Sequence, residues 1–396
     1  MIPFWLLSLF VAAFVIGTDD MVIAGLLPAL AADLDITEAA AGQLVTVFSL
    51  TYALGVPVLA VATARLPRRT VLLAGVAAFT VVNVAAAAAP TFSTLFLLRI
   101  LAALAAATVT SVSYTVVTDL APVTRRGRYL AVITAGLTVS LIVGVPLGTW
   151  VGATFDWRMT FLVVAAMSAV ALVCIAISVP RLSPLPYLGL RERLAPLQDR
   201  TVGRTLAALV ITGAGGMMTY VYLAPVAHRI ADVDSGRLAM VIGVFGVAGV
   251  VGTAFGGTVA DALPPRRAIP LVFGGTTIAA GGMAALASSS PFRYAVLLAG
   301  VAVYGVFVWA GNPPVQVRLA ALAPSNPGPL LGLNISALYA GFTLAGAIGG
   351  GALHLFGVPG LLATSCGLLA LGTVLLVGTL RKEPQCASAS SHAGRG

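Results

Sequence analysis

The stretch FWLLSLFVAAFVIGTDDMVIAGLLPAL, residues 4–30, decides the fold of this chain. It is apolar or small throughout except for Asp19 and Asp20, which lie side by side near its middle. About 20 consecutive apolar residues let a helix cross a bilayer, and an ionisable side chain inside such a helix is costly enough to imply a function. The alternative is that the helix ends early and both acids lie at the interface. The uncharged residues 21–30 favour the intramembrane position.

The composition indicates a membrane protein with many spans. Of the 396 residues, 59% are hydrophobic and 9% are charged, whereas soluble globular chains carry about 25% charged residues. Residues 4–30 contain two acids and follow no Lys or Arg, so we interpret them as a first span and not as a cleaved signal peptide. The net charge of +9 lies in short loops between apolar runs, which favours a topology signal over a nucleic-acid partner.

Apolar runs of spanning length recur along the whole chain. They cover residues 4–30, 41–63, 70–90, 94–118, 129–152, 159–180, 204–227, 238–260, 269–289, 294–316, 331–353 and 359–380. We therefore predict an all-α membrane protein with twelve transmembrane helices. The predicted parts are an N-terminal six-helix bundle (1–180), a cytoplasmic linker (181–203), a C-terminal six-helix bundle (204–383) and a disordered tail (384–396).

Arginines are concentrated in alternate loops. One side of the membrane would hold Arg65, Arg68, Arg69, Arg125, Arg126, Arg128, Arg266, Arg267 and Arg318, while the other holds most of the loop acids. By the positive-inside rule the arginine-rich side is cytoplasmic, so we predict a plasma-membrane protein with both termini inside. The halves also resemble copies, because a shift of 197 positions places Arg69 on Arg266, Gly144 on Gly341 and Gly152 on Gly349. Parallel six-helix repeats are a transporter architecture.

The loop after the second helix carries a family motif. Ala60-Val-Ala-Thr-Ala64-Arg65-Leu-Pro-Arg68-Arg69 resembles the loop between helices two and three of the major facilitator superfamily. That family usually has a glycine, an aspartate four residues later and a basic cluster. The first loop has Ala60 and Ala64 at the first two positions, whereas the second half keeps Gly257 and Asp261 before Arg266. The resemblance implies a gating role for Arg65, Arg68, Arg69, Asp261 and Arg266; positive-inside arginines alone explain the charges but not the repeat.

Further motifs resemble the drug:proton exchangers of this superfamily. Helix five carries Gly136, Gly144-Val-Pro146-Leu-Gly148 and Gly152, which is similar to the antiporter signature, and Asp156-Trp157-Arg158 precedes helix six. Asp119 and Arg126 flank the loop after helix four. The resemblance implies gating or conformational roles for Asp119, Arg126, Gly144, Pro146 and Gly148. Glycines four apart let a neighbouring helix approach closely, and Pro146 opens the helical hydrogen-bond ladder.

The first and seventh helices most resemble those of actinobacterial chloramphenicol exporters. The resemblance rests on Gly17-Thr18-Asp19-Asp20 and on Tyr220-Val-Tyr222-Leu-Ala-Pro225; those exporters usually carry serine and then glutamate at the acid pair. We predict that Asp20, more than Asp19, carries the proton, because Asp20 shares its helix face with small residues suited to the bundle interior. Arg99 in helix four either snorkels to the headgroups or pairs with these acids, and intramembrane ions tend to pair.

A set of polar and aromatic residues lies within the predicted helices. Its members are Tyr52, Asn83, Tyr114, Tyr220, Tyr222, Trp309, Asn312, Gln316, Asn334 and Tyr339. Part of this set is expected to line the substrate path, and the remainder to join helices or lie at the interface.

These features predict a secondary transporter that exports a small, mostly apolar compound in exchange for protons, acting as a monomer by rocking of its halves. Export of a sugar, a nucleoside or an endogenous antibiotic is the alternative. An intramembrane enzyme is disfavoured, because the scattered His and Cys residues offer no metal-ligand spacing, and no cofactor is expected. A channel would show rings of charge or a carbonyl filter.

Overall fold

A computed structural model describes residues 3–122, 125–182, 189–288, 294–322 and 328–380. Within them, ten helices are long and apolar enough to cross a membrane, or eleven with one bent pair counted as a single span. The 53-residue helix Gly328–Leu380 is broken at Gly357, where φ is 65° and ψ is −167°, a conformation open to glycine. It therefore comprises two spans. The described residues thus hold twelve spans in two six-helix repeats, which confirms the predicted fold class.

The bounds of the spans follow in chain order. They are Phe4–Asp33 (span 1), Glu38–Ala62 (span 2), Arg68–Ala87 (span 3), Phe92–Leu120 (span 4), Arg126–Val139 with Ser140–Gly144 and Val145–Thr154 (span 5), Trp157–Ser178 (span 6), Arg200–Val221 with Leu223–Ala231 (span 7), Ser235–Ala262 (span 8), Pro265–Ser288 (span 9), Tyr294–Ala310 with Asn312–Leu322 (span 10), 328–356 (span 11) and 358–380 (span 12). The helix Leu190–Leu194 lies in the linker. The predicted tail, 384–396, lies outside the described residues.

Two of the arginines that the sequence placed in loops are buried within spans. Span 10 continues to Leu322, and Arg318 is 2% exposed there; its Nη2 donates to the backbone oxygen of Thr379 in span 12 at 3.1 Å. Arg68 is the first residue of span 3 and is also buried. The loop prediction was wrong for Arg318, because a hydropathy run stops at a charged residue whereas a helix continues when its guanidinium finds an acceptor. Span 3 begins at Arg68, two residues before its predicted bound.

Span 5 packs closely on span 1 along its glycines. A Cβ added at Gly136 would lie 2.6 Å from the backbone oxygen of Phe10, and one at Gly148 would lie 2.7 Å from Cγ2 of Val22. Residues Ser140–Gly144, just before Pro146, form a π-helical turn. A proline removes a backbone donor and repels the carbonyl four residues earlier, so the ladder widens there as predicted.

The second half repeats this packing at the corresponding glycines. A Cβ at Gly341 in span 11 would lie 2.9 Å from the backbone oxygen of Val210 in span 7, and one at Gly349 would lie 2.7 Å from the ring of Tyr222. Spans 5 and 11 also contact the other half. Gly246 of span 8 abuts Leu141 of span 5, and span 11 packs on span 2. Small residues thus set both contacts within the halves and contacts between them.

The contacts between the halves favour one side of the membrane. We call the side where span 1 begins and span 12 ends the terminal face, and the other the opposite face. Gln43 Nε2 of span 2 donates to the backbone oxygen of Gly346 in span 11 at 3.3 Å, and Tyr220 OH of span 7 donates to that of Met21 in span 1 at 3.0 Å. These residues lie in the parts of their spans nearer the opposite face, where the halves are held together.

Candidate functional site

Asp19 and Asp20 lie halfway along the 30-residue helix of span 1 and are 0% and 3% exposed. At 1.5 Å per residue they are about 22–24 Å from its first residue, well inside the hydrocarbon region. The interfacial alternative is therefore wrong. Successive residues of a helix point about 100° apart, so the two carboxylates face different neighbours.

Asp19 pairs with Arg99 of span 4. The Nη1–Oδ2 distance is 2.7 Å, and Nη2 of Arg99 also donates to the backbone oxygen of Asp19 at 3.3 Å. The guanidinium lies over the ring of Phe48, with Cζ 4.2 Å from the ring centroid. Arg99 is 1% exposed, so it pairs inside the bundle and does not snorkel to the headgroups. Opposite charges that neutralise each other are the usual way to hold ions inside a membrane.

Asp20 faces the other half of the molecule. Tyr339 OH of span 11 donates to Asp20 Oδ2 at 2.8 Å, which joins the halves near the membrane midplane. The Tyr339 ring packs on Tyr52, with centroids 4.1 Å apart. Tyr220 lies beside the same small cavity as Asp20. Three of the predicted substrate-path tyrosines therefore surround the acid.

A second cluster lies within the second half, around a cavity of about 670 Å³ including its open mouth. We call it the second-half cavity. Trp309, Asn312 and Asn334 line it, and Asn334 Nδ2 donates to Asn312 Oδ1 at 3.4 Å. Its walls are mainly apolar and come from spans 7, 9, 10, 11 and 12; they include Leu209, Phe273, Val315, Leu338 and Leu369. None of the described residues that line it is charged.

The two clusters share a wall. Met217 of span 7 and Phe342 of span 11 line both the cavity beside Asp20 and the second-half cavity. Both side chains are 3% exposed. No sequence pattern predicts this position between two cavities, because a Met and a Phe inside an apolar run are indistinguishable from packing residues.

The remaining predicted substrate residues lie outside the linings of both cavities. Asn83 Nδ2 donates to the backbone oxygen of Phe79 in its own helix at 3.0 Å. Tyr222 OH donates to the backbone oxygen of Gly346 at 2.7 Å. Tyr114 packs in the hydrophobic core of the first half. The structure therefore divides the predicted set into an acid cluster, a neutral cavity and residues that join helices.

Some of the predicted gating residues meet at the ends of spans 3 and 4. Arg68 forms an ion pair with Asp119, and Arg69 donates to the backbone oxygen of Ala176 in span 6. Asp119 thus supplies an acid to a loop that lacks its own at Ala64. Arg65, Asp261 and Arg266 are exposed, and the side chain of Arg126 lies outside the described part of the structure.

An ion pair near the opposite face was missed. Arg158 Nη1 is 2.7 Å from Asp33 Oδ2, and Trp157 Nε1 donates to the same oxygen at 3.1 Å. The pair fastens the end of span 1 to the start of span 6. The Trp-Arg motif was visible in the sequence, but its acidic partner lies 125 residues away along the chain.

Comparisons with known proteins identify relatives over nearly the whole chain. A family model described as Major Facilitator Superfamily matches residues 9–328. The chloramphenicol resistance protein of Streptomyces lividans is 31% identical over 334 residues, 83% of each chain. The inner membrane transport protein YdhP of Escherichia coli (strain K12) is 30% identical over 96% of this chain and 97% of that protein. A crystal structure of a D-xylose-proton symporter superposes with a TM-score of 0.77 over 94% of this chain and 96% of that one, at 15% identity, which shows a shared fold.

Proposed function

The chain belongs to the major facilitator superfamily of membrane transporters, and from this premise we propose that it exports a small, mostly apolar compound, similar to chloramphenicol, in exchange for protons. The family predicted from the motifs is confirmed. A transporter moves its substrate without changing it, so the prediction that the chain is not an enzyme is confirmed with the family.

The observation that carries this proposal is the buried carboxylate of Asp20 at the junction of the halves. Its hydrogen bond from Tyr339 links a group that can be charged or neutral to the other half of the molecule. Asp19 already has a cationic partner in Arg99, whereas Asp20 has a neutral one. A proton that joins or leaves Asp20 therefore changes the net charge at the midplane, the property that a coupling site needs.

The proposed cycle is alternating access by the two halves, 1–180 and 204–383. With the halves held together nearer the opposite face, the substrate enters from the terminal face. The halves then rock, so that the site opens to the opposite face and exchanges substrate for a proton at Asp20. Glycine contacts between the halves, such as Gly246 of span 8 on Leu141 of span 5, let the helices approach closely where this movement takes place. The arrangement is complete in one chain, and we propose that it acts as a monomer.

The direction of transport depends on orientation in the membrane. Exposed arginines such as Arg65 and Arg266 lie at the terminal face, so we propose that this face is cytoplasmic in the bacterial inner membrane. A reporter fused after Arg200 is expected in the cytoplasm, and one inserted at Asp35 outside. Termini on opposite sides of the membrane would contradict the twelve-span topology.

Transport in everted vesicles tests the function. Vesicles that contain the protein should accumulate radiolabelled chloramphenicol when their interior is acidified, and a protonophore should abolish the uptake. Vesicles without the protein are the control. Uptake that ignores the proton gradient would contradict coupling. Gradient-driven uptake of a sugar or nucleoside, with none of chloramphenicol, would favour the alternative substrate class.

A further inference from the structure

We propose that the transported compound is an uncharged molecule with an aromatic body and at least one amide or hydroxyl group, and that it binds in the second-half cavity without touching Asp20. Binding of the compound then affects Asp20 through Tyr339, and through Met217 and Phe342, which line both cavities. This inference rests on the proposed function, and it adds a substrate site, a substrate class and the residues that couple them.

The lining of the second-half cavity suits a neutral aromatic ligand. Phe273, Trp309 and Phe342 offer aromatic surfaces, and no described lining residue carries a charge that would balance an ion. A cation moved into this cavity would lose its hydration without gaining a counter-charge, a large free-energy cost. The site therefore selects against cations.

Polar groups are present where such a ligand needs them. The bond between Asn312 and Asn334 is long, at 3.4 Å, so each amide keeps donor or acceptor capacity for a ligand. Trp309 contributes its ring to the lining, while its Nε1 lies beside Gly249 of span 8. Buried polar atoms are normally satisfied, and a few convergent polar groups in an apolar cavity are the usual pattern of a small-molecule site.

One turn of span 11 touches both sites. Leu338 and Phe342 line the second-half cavity, while Tyr339 between them reaches Asp20. The rings of Tyr339 and Phe342 pack with centroids 5.2 Å apart. A ligand that presses on Leu338 or Phe342 therefore acts on the turn that positions the Tyr339 hydroxyl.

The coupling follows from the hydrogen bond between Tyr339 and Asp20. A phenol donates to a carboxylate more strongly than to a protonated acid, so displacing Tyr339 changes the relative free energies of the two charge states of Asp20. By linkage, the charge state of Asp20 changes the affinity for the ligand by the same factor. Other groups around Asp20 keep their own partners or stay neutral: Asp19 and Arg99 pair with each other, and Tyr52 and Tyr220 are buried phenols. Substrate and proton thus influence each other without sharing a side chain.

Equilibrium binding to the purified full chain in nanodiscs tests this inference. The probes are chloramphenicol, a neutral nitrophenyl amide, and ethidium, a permanent aromatic cation, each measured between pH 5.5 and 8.5. Wild type should bind chloramphenicol with pH-dependent affinity and should bind ethidium at least about tenfold more weakly. Asn312→Ala should weaken chloramphenicol binding about five- to tenfold, the effect of one hydrogen bond. Thr364→Ala, which alters a hydroxyl bonded within its own turn of span 12, is the control and should not.

The coupling residues give a second readout. Asp20→Asn and Tyr339→Phe should each retain chloramphenicol affinity at pH 5.5 within about threefold and lose its pH dependence. Tyr294→Phe, a tyrosine at the start of span 10, should keep that dependence. The inference is overturned if Asp20→Asn abolishes binding, if ethidium binds as tightly as chloramphenicol, or if wild type binds neither probe. Proton-driven uptake of ethidium by wild-type vesicles would leave the transporter function standing while this site and substrate class fall.

Discussion

The two halves share one architecture, but they place opposite chemistry at the same point of the repeat. The 197-residue shift that places Gly144 on Gly341 also places Asp19 and Asp20 of span 1 on Gly216 and Met217 of span 7. The acids form the charged cluster, whereas Gly216 and Met217 line the neutral cavity. The repeat places two equivalent helices at the centre of the molecule, and we propose that span 1 holds the proton site while span 7 borders the ligand site.

The difference teaches how one scaffold provides separate surroundings for the proposed proton site and the proposed substrate site. A carboxylate inside a membrane needs partners, so span 1 is surrounded by Arg99 and three tyrosines and has little free space. A pair of small and flexible residues needs none, and span 7 borders the larger cavity. The partners of the first site come from both halves, which makes its state depend on how the halves are arranged.

The largest expected effect comes from removing the charge at Asp20. One proton moving down 100 mV supplies about 2.3 kcal/mol, enough for about fiftyfold accumulation of a neutral compound in everted vesicles. Asp20→Asn should reduce this accumulation to none, because the amide cannot take up a proton. If vesicles with Asp20→Asn still concentrate chloramphenicol, the proton site lies elsewhere and the contrast between the halves loses its functional meaning.

Removing the neighbouring acid should act mainly on stability. Asp19→Asn leaves Arg99 buried without an opposite charge, which costs about 3–5 kcal/mol of unfolding free energy. The double variant Asp19→Asn with Arg99→Met should recover much of that loss. Thermal unfolding in detergent measures both. A double variant no more stable than Asp19→Asn alone would show that the pair is not the origin of the loss.

Filling the glycine contact of span 5 should impair the movement of the first half. Gly148→Leu places atoms against Val22 and Thr160, an overpacking that costs about 1–3 kcal/mol and separates spans 1, 5 and 6. Vesicle transport should be lost while the protein remains inserted. Gly282→Leu is the matched control, since a Cβ there meets no described atom within 4 Å. Equal loss of transport in both variants would show that any leucine placed in a span is harmful, and that the contact of Gly148 with Val22 is not the cause.

The smallest expected effect concerns a tyrosine outside both clusters. Tyr222→Phe removes the hydrogen bond to Gly346 and should lower the free energy of unfolding by about 1 kcal/mol. Chloramphenicol affinity should stay within about twofold of wild type, in contrast to Asn312→Ala. A larger change in affinity would extend the substrate path to this part of span 7.

The number of spans and their approximate positions could be predicted from the sequence alone. The cost of burying backbone and charged groups in hydrocarbon acts on each segment separately, so hydropathy predicts the number of spans and their approximate length. The repeat and the motifs in spans 1, 2 and 5 identified the family. Asp19 and Asp20 could be singled out from the sequence because ionisable residues inside an apolar run are costly and therefore rare.

Only the tertiary structure decided which partners meet. Arg99 selects Asp19 and Tyr339 selects Asp20, and these partners lie 80 and 319 residues apart along the chain. Such choices depend on helix rotation and crossing within a packed bundle, which no local pattern encodes. The same holds for Arg318, which hydropathy placed in a loop but which donates to the backbone oxygen of Thr379 inside the bundle. It also holds for Met217 and Phe342, which line two cavities that only the packed helices create.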